Sequence, residues 1–303
     1  MSGYKYLFGP VPSRRLGASL GVSPIPERTC NYSCVYCQLG RTLRMTNTRQ
    51  EFFPLEEILA EFREYLQGSI PFDVVTVVGE GEPTLYSRLG ELIAGLKKET
   101  DKPVAVITNG ALLYDAEMRR ELIEADIVLP SLDAVTEEQY RKIDRPMGSI
   151  GFAEMAEGLR QFAREYQGQL WIEIMLVDGM NDSPEDIAAF KEFLGTIDYD
   201  RVYLNTPVRP PAEGFVHTSA PERIDLAARE LGGISIDQLT SGSFFSEVED
   251  PYEAILSIAR RHPMNQFEVE SFLEAREIPA DQRQALMERL GQDPGITVVP
   301  YKG

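Results

Sequence analysis

Three cysteines, Cys30, Cys34 and Cys37, stand within eight residues in the run CNYSCVYC, and the 303-residue chain has no others. Thiolates are soft ligands suited to zinc or to iron–sulfur clusters. An odd count this crowded makes a poor disulfide framework and a good ligand set, which points to a reducing compartment, the cytoplasm. A structural zinc site takes four ligands. The only histidines, His217 and His262, are far off in sequence. A 4Fe-4S cube on three cysteines leaves one iron open to an outside ligand. The competing readings are three small buried hydrophobes, or a zinc ion completed by a distant histidine.

Other polar groups punctuate apolar runs. In GEGEP (79–83), Gly81 permits close backbone approach, and the Glu82 carboxylate next to Pro83 can accept an ammonium group. The plainer alternative is a Gly-Pro turn with two solvated acids. Thr108–Asn109–Gly110 and Ser131–Leu132–Asp133 offer hydroxyl, amide and carboxylate groups for a polar ligand, or caps for the helices that follow. Glu173 interrupts the apolar run WIEIML, so it faces a lumen or an exposed edge. Asn205, Thr206 and Arg209, with Arg14 and Arg15 of VPSRRLG, are suited to an anionic substrate group; otherwise the arginines pair with the chain's many acids.

The elements that must carry these groups alternate. Strands are expected over 16–23, 72–79, 103–110, 126–133, 169–177 and 201–208, with helices over 54–67, 88–100, 116–125, 152–166 and 183–197. Such alternation gives a parallel α/β sheet with right-handed crossovers, and its functional residues lie at the carboxyl ends of the strands. Most of the polar clusters above fall there. A Pro-, Gly- and Ser-rich connection follows, with one helical piece at 221–232. Helical runs at 251–262, 265–276 and 280–291 and a terminal strand at 295–301 suggest a small winged-helix-like domain. The expected organisation is a barrel over 1–215, a connecting segment over 216–245 and the small domain over 246–303.

Charge narrows the function classes. The net charge is −18, yet residues 1–49 carry +6, so the rest carries −24. That balance argues against broad nucleic-acid binding while placing basic residues around the cysteines. The run 280–291 holds two acids and two arginines, unlike a DNA recognition helix, so DNA is not expected. No apolar run approaches the ~20 residues of a membrane span, and the N-terminus reads as having no signal peptide.

CNYSCVYC resembles the cluster motif of the radical S-adenosylmethionine (radical SAM) enzymes. The resemblance implies a partial (β/α)6 TIM-like barrel and a 4Fe-4S cluster held by Cys30, Cys34 and Cys37. The open iron then binds the amino and carboxylate groups of S-adenosylmethionine (SAM). Reductive cleavage yields a 5′-deoxyadenosyl radical that abstracts hydrogen from a substrate. A low-potential electron donor such as flavodoxin or ferredoxin is implied as partner. Tyr36 then packs near adenine, and Gly81, Glu82, Pro83, Asn109, Ser131, Asp133 and Glu173 line the SAM pocket. Arg14, Arg15, Asn205 and Arg209 become substrate candidates. GEGEPTLY (79–86), TNG (108–110), SLDA (131–134), YRKIDRP (140–146) and LVDGMND (176–182) are similar to the wyosine-type tRNA-modifying branch. That branch holds a second cluster on additional cysteines, which this chain lacks. RNA base modification is therefore weighed against a small anionic metabolite or a protein as substrate, and against a non-catalytic SAM- or cluster-binding regulator.

Overall fold

The computed structural model describes residues 4–68, 70–236, 244, 248, 250–259 and 264–298. β1 (Leu7–Ser13) folds back antiparallel on β2 (Gly17–Val22). β3 (Thr29–Cys30) and β4 (Arg44–Met45) form a separate two-stranded parallel ladder. Alternation then sets in: α1 (Leu55–Tyr65), β5 (Val74–Val77), α2 (Leu89–Glu99), β6 (Val104–Thr108), α3 (Ala116–Leu122) and β7 (Ile127–Pro130). α4 (Glu137–Ile143) and α5 (Phe152–Glu165) precede β8 (Gln169–Met175), and α6 (Pro184–Leu194) precedes β9 (Arg201–Asn205). α7 (Pro221–Leu231) leads to β10 (Ile234–Ser235), and α8 (Pro251–Ala259), α9 (Gln266–Ala275) and α10 (Ala280–Gln292) follow.

The main sheet runs β1-β2-β5-β6-β7-β8-β9-β10. Every neighbouring pair in it is parallel except β1 with β2. Strand order thus follows chain order, and each helix returns the chain to the next parallel strand, as a curled half-barrel requires. The six strands expected from sequence are all present. β1 and β10 extend the sheet at its two ends.

Period-two alternation sorts the strands into two cores. Val75 and Val77, Val104 and Val106, Val128, Ile172 and Ile174, and Val202 and Leu204 pack outward against the helices. Val74, Ala105, Leu129, Trp171 and Tyr203 form an inner apolar layer. By the same alternation Glu173 and Asn205 occupy inward positions. The helices are cut to fit. α6 starts on a capping box in which Ser183 and Asp186 satisfy each other's backbone donors, with Pro184 at its first turn. α5 buries Phe162 fully against the outer core, which contributes about 1.5–3 kcal/mol.

The three C-terminal helices form where expected. The anticipated strand over 295–301 is absent over 295–298, and 299–301 lie outside the described residues. These helices share an apolar cluster with Phe8 and Val11 of β1, at one end of the sheet. Arg209, after β9, pairs with Glu268 of α9 at 3.2 Å. Arg14 donates to the Ile236 carbonyl just beyond β10 at 3.3 Å. The C-terminal helices therefore contact β1 and the segment after β9.

Candidate active site

β3 and α4 set the cysteine loop. Cys30 ends β3, and Ser33 N and Val35 N donate to the carbonyls of Asp144 (3.1 Å) and Ile143 (2.9 Å) at the end of α4. Cys37 N donates to Cys34 O at 3.2 Å and Gly40 N to Cys37 O at 3.1 Å, which winds the loop into successive turns. Thr29 bridges to Gly81, and Glu82 N donates to Thr29 O at 3.1 Å. A Cβ on Gly81 would overlap the Thr29 carbonyl, so glycine is what lets the GEGEP loop lie against the cysteine loop.

The thiols are half-buried. Burial, with the nearby Glu82 charge, pushes Cys30 up to about 12. Burial and then Asp144 push Cys34 well up; burial also raises Cys37, opposed by the charge of Arg28. Such thiols become thiolates when a metal takes them. Tyr32 N and Asn109 Nδ2 point at the Cys30 sulfur from 3.4 and 3.7 Å. The neighbouring Asn31 accepts from Asn109 Nδ2 at 2.7 Å, while its own buried Nδ2 has no partner. A spare amide donor beside a ligand sulfur suits the sulfide-bearing face of an iron–sulfur cluster. No three His, Cys, Asp or Glu side chains among the described residues are grouped to hold a single metal ion. A cube, by contrast, gives each thiolate its own iron. The donor set therefore fits the implied cluster.

Glu82 is 3% exposed, and its carboxylate is largely spoken for. Oε1 accepts from Thr84 N (3.0 Å), Thr84 Oγ1 (2.6 Å) and Thr108 Oγ1 (2.6 Å), and Oε2 accepts from Asn109 N at 2.8 Å. Burial raises this carboxyl in spite of those bonds. The side chain ties the loop after β5 to the end of β6, and Oε2 retains acceptor capacity. Pro83 is buried and opens the 3₁₀ turn Pro83–Leu85.

Asp133 sits beyond β7 and is also buried. Tyr36 Oη donates to its Oδ2 and Met175 N to its Oδ1 at 2.7 Å. Burial raises it to about 6, against those two bonds. Ser131 bridges to Glu173. Glu173 forms an ion pair with Arg15 and accepts from Asn205 Nδ2 at 3.3 Å, so all three meet inside the half-barrel. Burial lowers Arg15 to about 10.

The structure thus joins Cys30, Asn109, Glu82 and Gly81 in one group, Tyr36 and Asp133 in a second, and Arg15, Glu173 and Asn205 in a third. Arg14 and Arg209 stand apart, directed toward Ile236 and Glu268. Sequence reasoning missed Asn31, Asp144 and Asn181. Asp144 lies with its Oδ1 3.8 Å from the Cys34 sulfur. Asn181 Nδ2 donates to Asp133 O and Met175 O, both at 2.8 Å. A signal existed for Asp144: an acid closing a helix opposes the macrodipole and needs another reason to be there.

Comparison with known proteins bears on the family and the fold. A family model described as the radical SAM superfamily matches residues 25–191. UPF0026 protein MJ1312 of Methanocaldococcus jannaschii is 34% identical over 285 residues, covering 90% of this chain and 88% of that protein. A UPF0026 protein of Helicobacter pylori strain J99 is 35% identical over 254 residues, covering 77% and 82%. A protein named GTPase Obg from Brachyspira hyodysenteriae is 43% identical over 205 residues. That match takes in 68% of this chain but only 30% of the longer relative. Among solved structures, a radical SAM methyltransferase from Sphaerobacter thermophilus aligns with TM-score 0.58 at 18% identity, over 73% of this chain and 67% of that one. Native anSMEcpe with bound AdoMet aligns with TM-score 0.53 at 18% identity, over 71% and 59%. At this identity the structural likeness speaks for the fold.

Proposed function

The chain belongs to the radical SAM superfamily and to the UPF0026 family within it, and on that premise we propose how its residues divide the work. It is a radical SAM enzyme, using a 4Fe-4S cluster and SAM. When bound, that pair supplies the reductive cleavage that delivers a 5′-deoxyadenosyl radical to a substrate C–H bond.

Cys30, Cys34 and Cys37 hold the cluster. Asn31 and Asn109 direct amide donors toward its Cys30 side. Glu82 pins the GEGEP loop and leaves Oε2 toward the SAM ammonium, with Gly81 and Pro83 shaping the approach. Tyr36, held by Asp133, packs beside adenine, and Ser131 serves the ribose. Arg15, Glu173 and Asn205 hold the substrate in the lumen, whose walls keep water from the radical. The observation carrying this reading is convergence: the loops after consecutive parallel strands bring the cysteines, Gly81, Glu82, Asn109, Ser131 and Asp133 to one end of the sheet, the Thr29–Gly81 bridge locks the first two loops together, and Arg15 reaches Glu173 from the β1–β2 turn.

The substrate we favour is a small anionic metabolite, because the lumen set is mostly buried and holds an arginine. Arg14 and Arg209 join it in this reading, at the flank closed by the C-terminal helices. The division into a barrel (1–215), a connecting segment (216–245) and a winged-helix-like unit (246–303), the last a contact or lid module, belongs to the same proposal, as does a cytoplasmic setting. Among the described residues no helix is long and apolar enough to cross a membrane. Modification of an RNA base is the second reading, favoured by the motifs shared with the wyosine-type branch.

Anaerobic reconstitution followed by dithionite and SAM tests the chemistry, with 5′-deoxyadenosine as the expected product. About four irons bound per chain with no SAM cleavage under any reductant would sink the proposal. Deuterium transfer into 5′-deoxyadenosine from labelled metabolite, RNA or protein fractions then selects the substrate class.

A further inference from the structure

A single two-residue strand, β4, backs one of the proposed cluster ligands. Cys30 pairs in register with Met45 across the β3–β4 ladder, and paired strands lie about 4.8 Å apart. Thr46 N donates to Cys30 O, and Leu43 N and Arg44 N both donate to Arg28 O, all at 3.0–3.1 Å. The segment 43–46 is thus strapped onto the cysteine loop. It is also apolar where water reaches it. Leu43 is 68% exposed, the most exposed large apolar side chain before α9 among the described residues, and Met45 is 41% exposed.

Arginines surround this ridge. Arg44 is exposed and stacks on Phe52 at 5.5 Å. Arg41 and Arg145 share a single acid, Glu213, at 2.9 and 2.5 Å. Arg28 pairs with Glu27 at 3.2 Å. Four arginines against two acids leave an excess of positive charge in a chain whose total is −18.

We infer that the Leu43–Met45 ridge with its arginine rim is the docking surface for an acidic one-electron carrier protein. The inference rests on the cluster assignment proposed above. An electron must enter through a short protein path, and the ridge lies one strand from a ligand. A small apolar patch rimmed by charge matches the transient contacts that redox proteins make. The negative charge elsewhere repels an acidic carrier, so the ridge is also where such a carrier is steered. Single-stranded RNA fits less well, because the exposed centre is leucine and methionine rather than the aromatic platforms on which bases stack.

The test compares two reductants on reconstituted holoenzyme. One is dithionite, which needs no docking surface; the other is the faster of reduced flavodoxin and reduced ferredoxin. In Arg44→Glu with Leu43→Asp, iron content and dithionite-driven 5′-deoxyadenosine formation stay at the parent level. The carrier-driven rate falls about tenfold or more, and the parent's carrier-driven rate declines as salt is raised. The milder Arg44→Gln gives a smaller loss with the same selectivity, which guards against misfolding of the double variant. An unchanged carrier-driven rate, an equal loss with both reductants in Arg44→Gln, or a parent that neither carrier reduces would overturn the inference. No cleavage by the parent with dithionite would instead remove the cluster assignment, and the docking surface with it.

Discussion

Glu82→Gln separates two uses of one carboxylate. In the parent, Oε1 accepts three hydrogen bonds and Oε2 accepts one from Asn109 N. The least costly placement of the amide keeps its oxygen toward Thr84 and Thr108. Its NH2 then faces the Asn109 N–H, donor against donor, across what was a 2.8 Å bond. Leaving one buried donor unsatisfied costs about 1–3 kcal/mol. Burial already raises the Glu82 carboxyl, so the neutral amide recovers some desolvation, and the net loss should sit near 2 kcal/mol. At about 2–4 °C per kcal/mol, the melting temperature of the cluster-free, SAM-free chain should fall by about 4–8 °C. Differential scanning calorimetry of parent and variant reads this directly. A melting temperature within about 1 °C of the parent, together with weakened SAM binding to the reconstituted enzyme, would refute the reasoning: the carboxylate would then be a ligand and not a pin.

Gly81→Ala places a methyl group on the Thr29 carbonyl, which costs about 1–3 kcal/mol and pushes β3 from the GEGEP loop. Reconstituted protein should then bind clearly less iron than the parent, and full iron content at parental stability would count against the close approach described here. Glu213 is held down to about 2 by Arg41 and then Arg145. Its pairing therefore stabilises fully above the ordinary carboxyl value of 4.5 and is lost as pH falls through about 2. Glu213→Gln should flatten part of the acid-side decline in melting temperature of the cluster-free chain between about pH 4.5 and 2; an unchanged slope would show that the pair carries none of it.

Much of the barrel was legible because buried parallel strands are short continuous apolar runs, such as VVTVV and VAVIT, set between amphipathic helices. β1 was not. Its sequence, LFGPVPS, carries one glycine and two prolines and reads as loop, yet an antiparallel edge tolerates them. α4 is only seven residues long and too short to show a helical period, although it anchors the cysteine loop. The cysteines and Glu82 were legible as chemistry. That the Glu82 carboxylate would be consumed by Thr84, Thr108 and Asn109 was not, since those contacts join separate βα units. The Arg15–Glu173–Asn205 meeting likewise depends on alternation in β8 and β9 and on where the β1–β2 turn sends Arg15, and only the inward phase of β8 decides between lumen and edge for Glu173.

The C-terminal helices have a second consequence through their hold on β1. An open sheet ends in a strand with unpaired backbone groups, and such strands recruit other chains. β1 is one such end, and its Phe8 and Val11 are covered by the cluster around Phe272 and Ile255. Removing those helices would bare a sticky strand margin as well as unlatching Arg209 from Glu268. In a shortened chain, self-association would then mask any direct effect on turnover.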